Sequence, residues 1–232
     1  MILSKIKEIC LLYFIYWKVK IKNIIENTKV IFKYYRNTQF LKIDLTLLSY
    51  YLFKNPFKMS KNFLIKRKTS EIHTYGETPL TTIDRIAEKC NISKQDVFYE
   101  LGCGRGRLCF WFACFVGCKV VGIEYIPDFI IIAEKVQNRY KVKNLSFKCE
   151  NLFFADLQDA TFLYLYGLCY TSNEIRKVIE LLEKLPKGVK VITVSYSLKD
   201  YQPNTTYRII DTFSATFNWG VTEIIVQEKM KE

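Results

Sequence analysis

The sequence predicts a doubly wound α/β fold with a mostly parallel sheet, preceded by a helical, basic N-terminal lobe. Three observations carry this expectation. From about residue 96 onward, short apolar runs alternate with amphipathic stretches, the pattern of a parallel sheet covered by helices. The run Val97-Phe-Tyr-Glu-Leu-Gly-Cys-Gly-Arg-Gly106 ends a strand in a glycine turn and opens directly into the apolar helix-forming stretch 107–113. Finally, residues 1–70 hold 15 Lys and Arg against three acids, whereas residues 71–232 hold 20 of each. The formal net charge of +12 therefore sits entirely in 1–70, which divides the chain into a basic lobe, 1–70, and a neutral domain, 71–232.

The elements follow in order. Ile2, Ile6, Ile9, Tyr13, Trp17, Ile21 and Ile24 recur at helical spacing with lysines between them, although 17–22 also alternates like a strand. A second helix is expected over 40–53, stopped by Asn55-Pro56, and a short third one over 57–67. Residues 73–79 read as a loop leading into a helix that continues over 81–90, with Pro79 or a neighbour in its first turn. Strands are expected at 96–101, 119–124, 145–149, 162–166 and 189–196, with helices at 127–140 and 172–185 between them. Two β-rich runs, 207–213 and 222–228, close the sheet as an antiparallel pair.

At 232 residues the chain accommodates one α/β domain and an appendage, and its half-apolar, quarter-charged composition is that of a globular protein. The longest apolar stretch, 9–17, is too short to span a bilayer and lacks a signal-peptide cleavage pattern, so a cytoplasmic protein is the default. Eight cysteines without a Cys-x-x-Cys pair and a single histidine, His73, give no metal-ligand spacing. Cys103, Cys109, Cys114 and Cys118 read as free, mostly buried thiols, and His73 as a polar loop residue.

The glycine turn carries the chemistry. A strand, a tight turn and a helix N-terminus together cradle an adenosine-containing cofactor at the carboxyl end of a sheet strand. Gly102 lets the chain turn, and Gly104 and Gly106 allow backbone to approach a ligand. Glu100 stands just before the first glycine, and Glu124 ends the next strand 24 positions later, where a carboxylate accepts ribose hydroxyls. A nicotinamide enzyme or a purely structural loop would share the glycines alone. The full pattern, with Val-Gly-Ile-Glu124 at this spacing, resembles the class I S-adenosyl-L-methionine-dependent methyltransferases. The resemblance implies a Rossmann-like seven-strand sheet, with Glu100, Gly102, Gly104 and Gly106 at the methionine part of the cofactor, Glu124 at the ribose, and Tyr125 among the cofactor-binding residues.

Two narrower resemblances follow. Tyr75-Gly76-Glu77-Thr78 is similar to the loop that closes over the cofactor in Dot1-type histone-lysine methyltransferases. It implies cofactor or channel roles for Tyr75, Glu77 and Thr78. Glu150-Asn-Leu-Phe stands where that family has Gly-Asp-Phe, which implies Asn151 and Leu152 at the adenine. Leu185-Pro-Lys-Gly-Val-Lys-Val191 and Asp200-Tyr-Gln-Pro203 resemble the mitochondrial-type protein-lysine methyltransferases, which carry a membrane-directed N-terminal segment.

After strand four the chain reads Tyr166-Gly-Leu where the Dot1-type family has Asn-Asn-Phe, which argues against a histone substrate. No Asn-Pro-Pro-Tyr, Asp-Pro-Pro-Tyr or Pro-Cys occurs, against the common base-methylating classes. Tyr166 and Tyr170 either line an aromatic acceptor channel or pack the edge of the core. The favoured acceptor, by resemblance, is a protein lysine, deprotonated by desolvation in a channel of Tyr75, Tyr166 and Tyr170. An RNA or small-molecule methyltransferase clamping its substrate with the basic lobe is the alternative, and a catalytically inactive cofactor-binding module a third. The lysine-rich, aromatic segment 1–70 suits RNA phosphates, an anionic membrane surface, or a helical cap over the cofactor. No oligomeric state follows from the sequence.

Overall fold

The computed structural model describes residues 2–66, 75–168 and 170–231. His73, Arg67, Lys68 and Cys169 lie outside the described residues, as do the side chains of Ile2, Ile6 and Ile9. Seven strands, β1 (Val97–Leu101), β2 (Lys119–Glu124), β3 (Leu145–Cys149), β4 (Phe162–Leu165), β5 (Lys190–Val194), β6 (Tyr207–Thr216) and β7 (Val221–Lys229), form one sheet. Their order is β3-β2-β1-β4-β5-β7-β6. The first five are parallel, and β7 runs antiparallel to both β5 and β6. The strand order reverses between β1 and β4, which opens a crevice at their carboxyl ends.

Helices α1 (Ile2–Tyr34), α2 (Thr38–Tyr50) and α3 (Pro56–Lys66) precede the sheet, and α4 (Leu80–Lys89) leads into it. Helices α5 (Arg107–Phe115), α6 (Pro127–Tyr140) and α7 (Ser172–Leu182) are the crossovers. The alternating run 17–22 is helical, because its neighbours on both sides propagate the helix. One apolar layer on one face of the sheet joins Phe98, Phe112, Phe129 and Val136 to Val30, Tyr34, Phe40, Ile43 and Leu47 of the N-terminal helices. The other face is covered by α7 through Ile175, Val178, Ile179 and Leu182.

Local signals explain most boundaries. Asn37 caps α2 by accepting the Phe40 N–H at 3.0 Å, and Thr171 with Glu174 forms a reciprocal capping box at α7. Residue Pro127 starts α6 without needing an N–H. The helix expected over 172–185 stops at Leu182, and the strand expected over 189–196 is trimmed to Lys190–Val194. In each case the chain leaves the element as it turns at the carboxyl or amino edge of the sheet.

Candidate active site

The glycine turn sits at the carboxyl end of β1. The Gly102 and Cys103 N–H groups both donate to the Ile123 carbonyl, at 2.9 and 2.8 Å, which ties the turn to β2. Gly102, Gly104 and Gly106 have φ of +84°, +51° and +73°, a region that favours glycine. A Cβ on Gly104 would lie 2.9 Å from the Tyr75 ring, whereas one on Gly106 would lie 2.6 Å from the Phe147 ring.

Glu124 fastens this turn. Its carboxylate accepts the N–H groups of Gly104 (2.8 Å), Tyr125 (2.8 Å) and Ile126 (3.0 Å). Burial nonetheless holds its carboxyl above the ordinary range, the three amide bonds offsetting only part of that effect. With roughly four acceptor positions on a carboxylate, little remains for a ligand hydroxyl.

Glu100 is buried at the floor of the crevice, where the Cys109 thiol donates to it at 2.9 Å and, among the described residues, no cation pairs with it. Burial raises its carboxyl to about 8, and the charges of Glu77 and Glu124 add to the rise.

Two adjoining cavities open here. The larger, about 300 Å³, is lined by Tyr75, Gly102, Gly104, Glu124, Tyr125, Asn151, Leu152, Tyr166 and Tyr170 among others. The smaller holds Glu77, Thr78 and Glu100, and shares Tyr75, Gly102, Gly104 and Tyr166 with it. The structure thus brings together all the residues picked from the sequence except Gly106, which lines neither cavity and whose missing Cβ makes room for Phe147.

Several side chains do something different from the expectation. Both oxygens of Glu77 receive the Arg105 guanidinium, at 2.5 Å each, and the Tyr75 hydroxyl also donates to it. Burial by itself would raise the Glu77 carboxyl, but Arg105 holds it below its ordinary range. Thr78 pairs with the Tyr164 hydroxyl at 2.6 Å, so it fixes the loop to β4. Asn151 spends its side-chain oxygen on the Phe153 N–H, capping a 3-10 turn over Leu152–Phe154.

The sequence reading missed four contributors. Glu150 lines the larger cavity with a buried Oε1 that has no hydrogen-bond partner. Trp219, on the β6–β7 hairpin, donates its indole N–H to the Tyr166 hydroxyl at 2.8 Å and stacks on Phe217. Arg105 locks the entrance loop, and Arg107 makes a bidentate pair with the fully buried Asp44 of α2 at 2.7 and 2.8 Å. Only Asp44 left a signal, as the single acid of its helix, set between the apolar Ile43 and Leu45.

A family profile described as the ANTKMT methyltransferase domain matches residues 100–205. A histone-lysine N-methyltransferase, H3 lysine-79 specific, from Dictyostelium discoideum is 26% identical over 191 residues, covering 73% of this chain and 10% of that protein. The chain thus spans about a tenth of that relative's length. A protein-lysine N-methyltransferase from Saccharolobus islandicus (strain REY15A) is 25% identical over 139 residues, covering 59% of this chain and 85% of that protein. Among solved structures, an RNA methyltransferase from Salinibacter ruber in complex with S-adenosyl-L-homocysteine superposes with a TM-score of 0.55 at 26% identity, covering 68% of this chain and 95% of that one.

The family profile, the lysine-methyltransferase relatives and the fold together support a class I methyltransferase. S-adenosyl-L-methionine is the cofactor of that class. The crevice fits it: the volume lies in the range of small-ligand sites, a buried carboxylate with no cation beside it among the described residues lies in it, and so does a Glu150 oxygen that accepts no hydrogen bond.

Proposed function

We propose that this protein methylates lysine side chains of a protein substrate. The observation that carries the proposal is the shape of the crevice. A buried Glu100, with no cation beside it among the described residues, lies at its floor, and aromatic side chains of Tyr75, Tyr166 and Tyr170 wall its mouth. Glu100 with Gly102 and Gly104 holds the methionine part of the cofactor, Glu124 and Tyr125 border the ribose, and Glu150, Asn151 and Leu152 border the adenine. Gly106 supports the turn from behind. Glu77 and Thr78 hold the entrance loop in place so that Tyr75 covers the crevice.

S-adenosyl-L-methionine, when bound, supplies an electrophilic methyl group on a positively charged sulfur. A lysine must present a neutral amine to accept it. The aromatic walls exclude water and so disfavour the ammonium form, which lowers the lysine pKa. Tyr75 is not the base: burial first, and the neighbouring Glu77 second, raise its hydroxyl well above the ordinary value, so it keeps its proton. The walls therefore work by desolvation and alignment, and no single general base is assigned.

The test is transfer from isotopically labelled cofactor to a cytoplasmic extract, followed by separate protease and ribonuclease digestion and mass spectrometry. Label on lysine, lost with protease, is expected. Label confined to RNA or to small molecules overturns the reading, and tight S-adenosyl-L-homocysteine binding without any transfer indicates an inactive cofactor-binding module.

A second reading concerns residues 1–70, which we propose act as a docking arm on an anionic membrane surface, apart from the methyltransferase domain, 71–232. Tyr13, Phe14, Tyr16, Trp17 and Ile21 of α1 are half or more exposed, interleaved with Lys18, Lys20 and Lys22. Aromatic and lysine side chains so mixed suit the boundary between headgroups and acyl chains. Among the described residues no helix is long and apolar enough to cross a membrane. The place of action is then a membrane periphery facing the cytoplasm.

A further inference from the structure

Beside the acceptor channel lies a second cleft of about 250 Å³, bounded by α1, the start of α4 and the β6–β7 hairpin. The Phe217 ring that lines it rests against Tyr166 of the channel wall, with 5.8 Å between centroids. Lys22, Lys29 and Arg85 line it, and among the described residues none of the three has a carboxylate within ion-pair distance. The acid in the cleft, Glu26, is held by the Thr81 N–H at 3.0 Å and the Thr81 hydroxyl at 2.6 Å. The rim is therefore net positive, and the rest of its lining, Thr82, Asn218 and Phe217 among others, offers polar and apolar contact.

We propose that this cleft docks an acidic segment of the protein substrate next to the lysine being methylated. The inference rests on the lysine reading above and adds a sequence preference to it: carboxylates flanking the target lysine. Charge complementarity selects the occupant, and the Phe217–Tyr166 contact sets the cleft beside the channel wall, so that a chain presenting a lysine at Tyr166 can lay its flanking carboxylates against the three cations. Carboxylates on the substrate neutralise cations that have no partner of their own.

The test uses the full chain and two short fluorescent peptides, each with one lysine, set among glutamates in the first and among glutamines in the second. Binding is read by anisotropy at low and physiological salt, and methyl transfer by mass spectrometry. Three proteins are compared: wild type, K22E/K29E/R85E, and a control of equal charge change elsewhere on exposed lysines, K135E/K143E/K187E.

The expected result is that the acidic peptide binds about tenfold tighter than the neutral one. This advantage vanishes in K22E/K29E/R85E and survives in the control, with S-adenosyl-L-homocysteine affinity unchanged in all three. Equal binding of the two peptides by wild type overturns the proposal, as does equal loss in the control. Loss of binding to an RNA oligonucleotide or to phosphatidylserine vesicles in K22E/K29E/R85E, with peptide binding intact, also overturns it. Site-dependent binding of the acidic peptide together with no methyl transfer to any protein overturns the lysine reading and leaves the docking cleft standing.

Discussion

The carboxyl edge of the sheet and the outer part of α1 handle the same residue types in opposite ways. At the sheet edge, charges are buried and held: Arg105 on Glu77, Arg107 on Asp44, and Glu124 on three backbone amides. Along α1, apolar rings are exposed and charges are free in water, with Phe14 at 66% and Trp17 at 52% exposure. A buried charge is tolerated only where its partner is fixed, so the sheet edge has one arrangement. An exposed apolar helix carries no such constraint and keeps its surface for a partner. The first region is built to be rigid before a ligand arrives, and the second gains its energy only on contact.

The largest expected effect tests the join between them. Asp44 is fully buried, accepts both the Arg107 guanidinium and the Tyr35 hydroxyl, and sits on the helix that bridges the N-terminal segment to α5. Asp44→Ala leaves a buried guanidinium without a counter-charge and is expected to cost about 3–5 kcal/mol of stability. Urea unfolding measures it. A double replacement of Asp44 and Arg107 by Leu and Met should recover most of the loss; a double variant as unstable as the single one would show that packing, and not charge, joins the two regions.

Next in size is the pH dependence of Glu100. Its folded carboxyl titrates at about 8, against an ordinary value of 4.5. A raised acid keeps its proton in the fold while the unfolded chain loses it, so the contribution to stability is complete below 4.5 and is lost as pH rises toward 8. At pH 7 the loss is about 3 kcal/mol. Glu100→Gln should flatten this slope and stabilise the ligand-free protein at pH 8, while weakening cofactor binding. A cationic ligand group drives the carboxyl to ionise, so calorimetry near pH 7 should show about one proton released per ligand bound. An unchanged slope in Glu100→Gln would place the titration elsewhere.

The sheet was legible because its signals are local. β-branched runs between helical stretches, Pro127 at a helix start and the glycine turn each act within a few residues. The cleft-lining residues followed for the same reason, since Glu100, Gly102, Gly104 and Glu124 lie in two short stretches at adjacent strand ends. What the residues do there was less legible. Glu77 and Arg105 are 28 positions apart, Asp44 and Arg107 are 63 apart, and Trp219 meets Tyr166 across 53. Nothing local announces those meetings; the fold makes them. Gly106 shows the same limit, because the reason for its missing Cβ is Phe147 on β3 and not the ligand.

That distinction gives a smaller, separable effect. Gly106→Ala drives a Cβ into the buried Phe147 ring at a positive φ, with an expected cost of about 2–3 kcal/mol in thermal or chemical denaturation. Gly104→Ala meets only the edge of the Tyr75 ring, so about 1 kcal/mol is expected, with the greater loss in S-adenosyl-L-homocysteine affinity. If Gly106→Ala weakened binding more than folding, the assignment of Gly106 to support and Gly104 to the ligand would be reversed.

The smallest effect on stability is expected at α1, where the largest effect on partner binding should appear. The helix spans about 50 Å and is anchored through Glu26, Val30 and Tyr34, leaving its earlier turns in water. Phe14→Ser and Trp17→Ser therefore remove no core contact, and stability should hold within about 0.5 kcal/mol. The chain has three tryptophans, of which Trp111 is already buried; in Trp219→Phe the exposed indole that remains is Trp17. Phosphatidylserine vesicles should shift its emission to shorter wavelength, phosphatidylcholine vesicles should not, and high salt should reverse the shift, because lysines and rings must engage together. An unshifted spectrum on anionic vesicles, with α1 still helical, would remove the membrane from the account and leave the exposed rings to a protein or RNA partner.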